Sequence, residues 1–177
     1  MVRRSLPYRE AMPASLTPAH LRDVWPDFDW DNRRVWALAV PATEIEVASL
    51  TWLLDEPLWS SRPPEPLFDL RPRDVLADPG AHPQHARRVR EADLAWPLDL
   101  YPHGGRFVVL DGLHRLARLV MEGASHARVR CLPPEARVQI LVDRSEPHSW
   151  PRSGGHVDSR KKTKRISSRR GAGVYGG

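Results

Sequence analysis

One stretch constrains the fold more than any other: Arg106-Phe-Val-Val-Leu-Asp-Gly-Leu-His-Arg-Leu-Ala-Arg-Leu-Val-Met-Glu-Gly123. Its hydrophobic period changes halfway. Phe107 to Leu110 is a short apolar run of β-type residues between Gly105 and Gly112, long enough for a buried strand. After Asp111-Gly112, the residues Leu113, Leu116, Ala117, Val120 and Met121 fall at i, i+3, i+4, i+7 and i+8, which is one apolar face of a helix. Gly123 is placed to end that helix at C′. A strand, a tight turn and a helix therefore follow one another directly.

Such a helix start attracts anions, because its first N–H groups lack partners and the positive end of its dipole points beyond the turn. Gly112 has no side chain to block a phosphate, and His114 and Arg115 lie off the apolar face, where they can add hydrogen bonds and charge. Asp111 can accept from a substrate hydroxyl or a ribose, or ligate magnesium. The same spacing also suits a plain Asp-Gly turn, a packed helix and a solvated arginine. On the phosphate reading Arg115 has little packing to lose. Arg115→Ala then costs at most about half a kcal/mol of stability but about ten- to a hundredfold in nucleotide affinity.

At 177 residues with 41% hydrophobic residues, the chain is a one-domain prospect with enough apolar side chains for a core. No run approaches the length of a membrane span and the N-terminus lacks a signal-peptide core, so a cytoplasmic protein with no membrane partner is expected. The one cysteine, Cys131, reads as a small buried hydrophobe. Charge is uneven. Residues 150–177 carry eight cations and one acid, so the chain's net charge of +5 leaves residues 1–149 at −2. Arg160-Lys-Lys-Thr-Lys-Arg-Ile-Ser-Ser-Arg-Arg170 holds seven of those cations and could bind nucleic acid without sequence preference, or serve only as a solubilising end.

Read in order, residues 1–16 form a loose start, 17–145 a folded domain and 146–177 a disordered basic tail. Thr17 as N-cap and Pro18 at N1 open a helix to Trp25, with Leu21, Val24 and Trp25 buried, and the acidic-aromatic Asp27 to Asp31 suits a surface loop or else an edge that covers the pocket. Arg34 to Val40 reads as a strand and Glu44 to Ala48 as a half-buried strand, and Ser49 caps a short helix Leu50 to Leu54. Pro57 to Pro66 is a loop; Trp52 and Trp59 suit packing on the core, and Trp59, within the proline-rich loop, is also a candidate to line a pocket. Pro72 to Ala77 and Pro83 to Glu91 are short helices, the second exposing Arg87, Arg88 and Arg90. Trp96 to Tyr101 is a strand joined by His103-Gly-Gly to the Phe107 strand, and His126 to Leu132 and Val138 to Val142 are further strands. The fold class is α+β, a small mixed β-sheet with short helices. His82, His85, His103 and His114 fit no zinc template.

Val109-Leu-Asp-Gly-Leu-His-Arg-Leu-Ala, a short helix ending in Glu-Gly and the strand-like Ala127-Arg-Val-Arg-Cys-Leu together resemble the ParB/sulfiredoxin superfamily. The resemblance spans about Leu67 to about Val142, with Pro72-Arg-Asp-Val-Leu and the Ala86 to Leu98 stretch sharing the family's general look. It implies a ParB/sulfiredoxin-like fold whose motif helix holds nucleotide phosphates. In sulfiredoxins a catalytic cysteine directly precedes His-Arg. Here that position is Leu113, which cannot perform sulfinic-acid repair. Partition proteins carry further helical regions after the nucleotide domain, and no helical pattern follows Val142.

The nearest motif is that of the ParB-like free-serine kinases, Val-Asp-Gly-His-(His/Thr)-Arg, which Leu110-Asp-Gly-Leu-His-Arg115 matches at Asp111, Gly112 and Arg115, and at His114 in some members. That group uses an upstream glutamate as base. The corresponding Gly80-Ala-His-Pro-Gln-His85 has none, leaving His82, His85 or Asp111 for the role. The resemblance thus implies binding of ATP, ADP or CTP with Mg2+, and transfer of phosphate to a small-molecule substrate. Gly112, Leu113, His114, Arg115 and Arg88 would hold the nucleotide, Asp111 the metal, and Asp111, His114, His82 and His85 would share the catalytic roles. A nucleic-acid accessory protein acting through the basic tail is the alternative.

Overall fold

The Arg106–Gly123 stretch folds as its pattern requires in the computed structural model, which describes residues 18–142. The expected loose start at 1–16, the Thr17 cap and the tail at 146–177 lie outside the described residues. Strand β2 (Leu98–His103) and strand β3 (Arg106–Asp111) form a hairpin. Its turn is Gly104-Gly105, whose φ values of 56° and 75° suit a two-residue connection. Helix α4 (Leu113–Met121) begins one residue after β3. It ends where Gly123, at φ 70°, lets its own N–H reach the Val120 carbonyl at 3.1 Å and the Ala124 N–H reach that of Leu119 at 2.9 Å. Those two bonds satisfy carbonyls that a helix end would leave open.

Strand β4 (His126–Cys131) follows and pairs parallel to β2, a connection that needs a crossover of the kind α4 supplies. The early strand β1 (Thr43–Glu46) pairs antiparallel to β4, giving a four-stranded mixed sheet ordered β1-β4-β2-β3. Mixed pairing and short helices make the domain α+β, as its sequence suggests.

Both sheet faces are covered, and the strands alternate accordingly. Leu98 and Leu100 of β2, Val109 of β3 and Val129 of β4 join Leu116 and Ala117 of α4 in one cluster, with Leu50 and Leu53 from a 3-10 helix at Val47–Asp55. Tyr101, Val108 and Leu110 face the other way, into a cluster with Phe28, Val35, Leu132 and Ile140. Two further short helices, α2 (Pro72–Ala77) and α3 (Pro83–Arg90), begin at prolines, whose fixed φ and missing N–H suit a first turn. Val75, Ala86 and Val89 anchor them to the first cluster.

Several expectations are corrected. Arg34 to Val40 is no strand. Helix α1 (Asn32–Ala37) begins there because the Asp31 carboxylate accepts the Arg33 N–H at 2.7 Å, and it buries Val35 completely. Val138 to Val142 is no strand either. After Pro133-Pro134 the chain makes a 3-10 turn and helix α5 (Arg137–Ile140), which buries Ile140 and exposes Val138, while Leu141 bridges to Trp30. The helix expected up to Trp25 contracts to a 3-10 turn at Ala19–Leu21, although Leu21, Val24 and Trp25 are buried as expected. Met121 is exposed and Cys131 only half-buried, so neither is a core residue. Burial of the thiol is still enough to push its pKa up.

Candidate functional site

The start of α4 is set by Gly112, whose φ of 113° turns the chain from β3 into the helix in a conformation that L side chains rarely adopt. The space above this glycine does not lie open for a phosphate, as the sequence suggests. A Cβ there would stand 2.7 Å from Arg115 Nη2, 3.0 Å from its Cζ and 2.8 Å from Leu98 Cδ2. The glycine makes room for the protein's own guanidinium.

Arg115 folds back toward the helix start, as long helical side chains do. Its Nη2 donates to Asp111 Oδ2 at 3.0 Å and to the Pro97 carbonyl at 3.2 Å, and its side chain is only 16% exposed. Trp36 Nε1 of α1 also donates to Asp111 Oδ2, at 3.0 Å. Arg115 is therefore no solvated arginine, and the small stability cost expected for its removal is corrected. Arg115→Ala should cost about 1.5 kcal/mol or more, the value of a hydrogen bond to a charged group, as read from urea denaturation. A loss below about half a kcal/mol, typical of surface changes, would mean that these bonds contribute little. The guanidinium also carries a buried Nε without a hydrogen-bond partner among the described residues.

A second group meets this one from α3. His85 is 4% exposed, and its Nδ1 lies 3.1 Å from His114 Nε2 on the first turn of α4. Its Nε2 lies 2.9 Å from the Ser60 carbonyl oxygen. Both imidazoles stack on the indole of Trp59, with centroids 4.6 and 4.5 Å away and planes within 8° and 13°. They are nearly coplanar with each other, at 9°. Rings on opposite indole faces could not bring their nitrogens to hydrogen-bond distance, so the two histidines lie edge to edge over one face. Trp59, itself buried, is the floor of the site.

The sequence-derived residues thus divide. Asp111, Gly112, Leu113, His114 and Arg115 gather at the start of α4, and His85 reaches them. His82 is the half-buried N-cap of α3 and makes no side-chain cap bond. Arg88 follows His85 by one helical turn and is half-buried, not exposed like Arg87 and Arg90. Asp111, the residue expected to hold magnesium, has one carboxylate oxygen engaged by the protein's own donors. Asp111 Oδ2 already takes two donors, and no group of three or more His, Cys, Asp or Glu residues among those described could hold a metal ion.

Sequence reasoning missed a buried ion pair beside the site. Asp99 of β2 is fully buried, and its Oδ1 accepts from Arg130 Nε of β4 at 2.5 Å. Arg130 also donates to the Leu38 and Val35 carbonyls, at 3.0 and 3.1 Å, closing the C-terminal end of α1. Burial pushes the Asp99 carboxyl above the usual carboxylate range, against the opposing pull of Arg130. Alternation along β2 could have put Asp99 opposite Leu98 and Leu100, but nothing local names its partner.

An open depression of about 440 Å³, lined by Glu46, Thr51, Val120 and His126 among others, lies at the far end of α4 from Gly112. No helix of the described residues is long and apolar enough to cross a membrane. Comparison with protein-family models, curated proteins and solved structures gave no match for this chain.

Proposed function

We propose that the chain is a ParB-like domain that binds nucleotide phosphates at the start of α4 and transfers a phosphoryl group to a small molecule bearing a hydroxyl. The observation that carries this reading is the Arg115 guanidinium at the helix start with a buried Nε–H that has no acceptor among the described residues. Such a donor costs about 1 to 3 kcal/mol when unsatisfied, and an anionic oxygen would remove that cost. The first-turn N–H groups of Leu113 and His114 point the same way by helix geometry, and the His114 ring adds a polar edge. The phosphate must displace the guanidinium from the Pro97 carbonyl, because Gly112 itself is covered. His114 and Arg115 then stabilise charge on the transferring group, which is most of what this chemistry asks of a protein.

Calorimetric titration of the full chain with ATP, ADP, CTP and GTP, with and without magnesium, tests the reading. At least one nucleotide should bind below millimolar, and Arg115→Ala should weaken it about tenfold or more. No binding by a folded chain would end the proposal. Nucleic-acid binding is a second reading, favoured only by the seven cations of Arg160 to Arg170. It requires that the full chain be retained on nucleic acid at low salt and residues 1–149 not, with a steep fall as salt rises.

A further inference from the structure

We propose that Trp36 of α1 is a positioning residue that turns the Asp111 carboxylate so that its Oδ1 accepts a hydroxyl group of the bound ligand. The hairpin register aims the side chain. Asp111 stands opposite Asp99 and Val109 opposite Leu100, so Leu110 is an extra residue in β3. A bulge of this kind breaks the regular alternation of side chains and re-aims the end of the strand. Leu110 packs in the same cluster as Trp36, and Asp111, the next residue, is met by the Trp36 indole from α1 as well as by Arg115 from α4.

The two donors come from different elements and reach the same oxygen. Trp36 Nε1 and Arg115 Nη2 each lie 3.0 Å from Oδ2, so rotation of the carboxylate would break both bonds. Oδ1 has no hydrogen-bond partner among the described residues, and the Asp111 side chain is 22% exposed. An ionised carboxylate only accepts, so a ligand group that meets Oδ1 must be a donor. Arg115 already gives this carboxylate a full positive charge and would repel a second cation. A neutral hydroxyl gains a charge-assisted bond without that repulsion.

This step rests on the phosphate reading above, which brings the ligand to Arg115. An anion that draws the guanidinium away from the Pro97 carbonyl also weakens its hold on Asp111. Trp36 is then the donor that keeps Oδ2 in place. Its helix is clamped for the purpose, because Val35 is completely buried and Arg130 donates to the Val35 and Leu38 carbonyls. Two sources supply a hydroxyl at this point: the ribose of the nucleotide and the acceptor molecule.

Calorimetry on the full chain distinguishes them. ATP against its dideoxy form, which lacks both ribose hydroxyls, reads the ribose. L-serine against L-alanine, titrated into protein holding a non-hydrolysable ATP analogue, reads the acceptor. The wild type should prefer the hydroxyl-bearing member of one pair about tenfold or more, the worth of a hydrogen bond to a charged group. The pair that shows the preference names the source. Trp36→Phe keeps an aromatic ring and loses the Nε1–H, so it should bind the member without the hydroxyl as the wild type does and lose most of the preference. A purely structural Trp36 would weaken both members alike and leave the preference intact, and that result overturns the proposal. A wild type with no preference in either pair overturns it too. Should Trp36→Phe not fold, exchange of the Trp36 indole N–H in the ATP-bound wild type decides. Slow exchange is expected, and exchange as fast as that of an exposed indole overturns the positioning role. If neither ATP nor its dideoxy form binds, the phosphate reading fails and this inference with it, whereas equal binding within both pairs strikes the inference alone.

Discussion

Arg130→Met should destabilise the domain by about 3 to 5 kcal/mol, a large share of the roughly 5 to 15 kcal/mol that a native domain has. Methionine keeps much of the volume, so packing is not the main loss. Asp99 would remain completely buried without its counter-charge, and the Val35 and Leu38 carbonyls would each lose one of two donors, keeping only the backbone N–H of Leu38 and Val40. The deficit has a direction in pH. The Asp99 carboxyl is already pushed up by burial, and losing Arg130 removes the main pull downward, so its folded pKa rises further. A carboxyl with a raised folded pKa keeps a proton that the unfolded chain gives up, and its favourable contribution is present below about pH 4 and lost as pH rises through the folded value. The variant should therefore be most impaired at neutral pH and less so as pH falls toward about 4. Replacing Asp99 by Leu in the same chain should recover part of the loss, because two matched apolar groups leave no charge stranded. Urea unfolding at pH 7 and pH 4.5 checks it. A neutral-pH loss under about 1 kcal/mol, the level of an exposed pair, would mean that this ion pair does not hold α1 to the sheet.

What could be read from the sequence was what local rules determine. The strand, the left-handed glycine and the Gly123 stop lie within one short stretch, and α2 and α3 start at prolines, so pattern alone places them. Helix α1 was hidden because Val35-Trp-Ala-Leu-Ala-Val40 has the composition of a strand, while the deciding signal, the Asp31 cap, stood in a stretch read as loop. The candidate site was half legible. Its residues on α4 are contiguous, but His85, the Ser60 carbonyl and the Trp59 floor come from elsewhere in the chain and meet only when α3 packs on α4. Arg115 is the instructive case. It stands four residues after Asp111, a spacing that favours an ion pair on or beside a helix, and helical side chains lean toward the N-terminus. Both rules point to the bond that the structure contains, and they outweigh the inference of a solvated arginine drawn from the apolar face alone.

Gly112→Ala should cost about 2 to 6 kcal/mol, in two separable parts. One part is backbone. At φ 113° an alanine is strained whatever space surrounds it, for about 1 to 3 kcal/mol. The other is contact. The new Cβ would lie 2.7 Å from Arg115 Nη2 and 2.8 Å from Leu98 Cδ2, and the guanidinium can leave only by giving up Asp111 and the Pro97 carbonyl. Overpacking of this kind costs about 1 to 3 kcal/mol. A double-mutant cycle divides the two, since the backbone part does not depend on Arg115 and most of the contact part does. In an Arg115→Ala background, Gly112→Ala should lose less than in the wild type by about 1 kcal/mol or more. The remainder should persist, because Leu98 and the positive φ are still there. Equal costs in both backgrounds would show that the guanidinium does not occupy the space above Gly112 in solution. Only Leu98 would then border that space, and Arg115 would meet an anion without first leaving it.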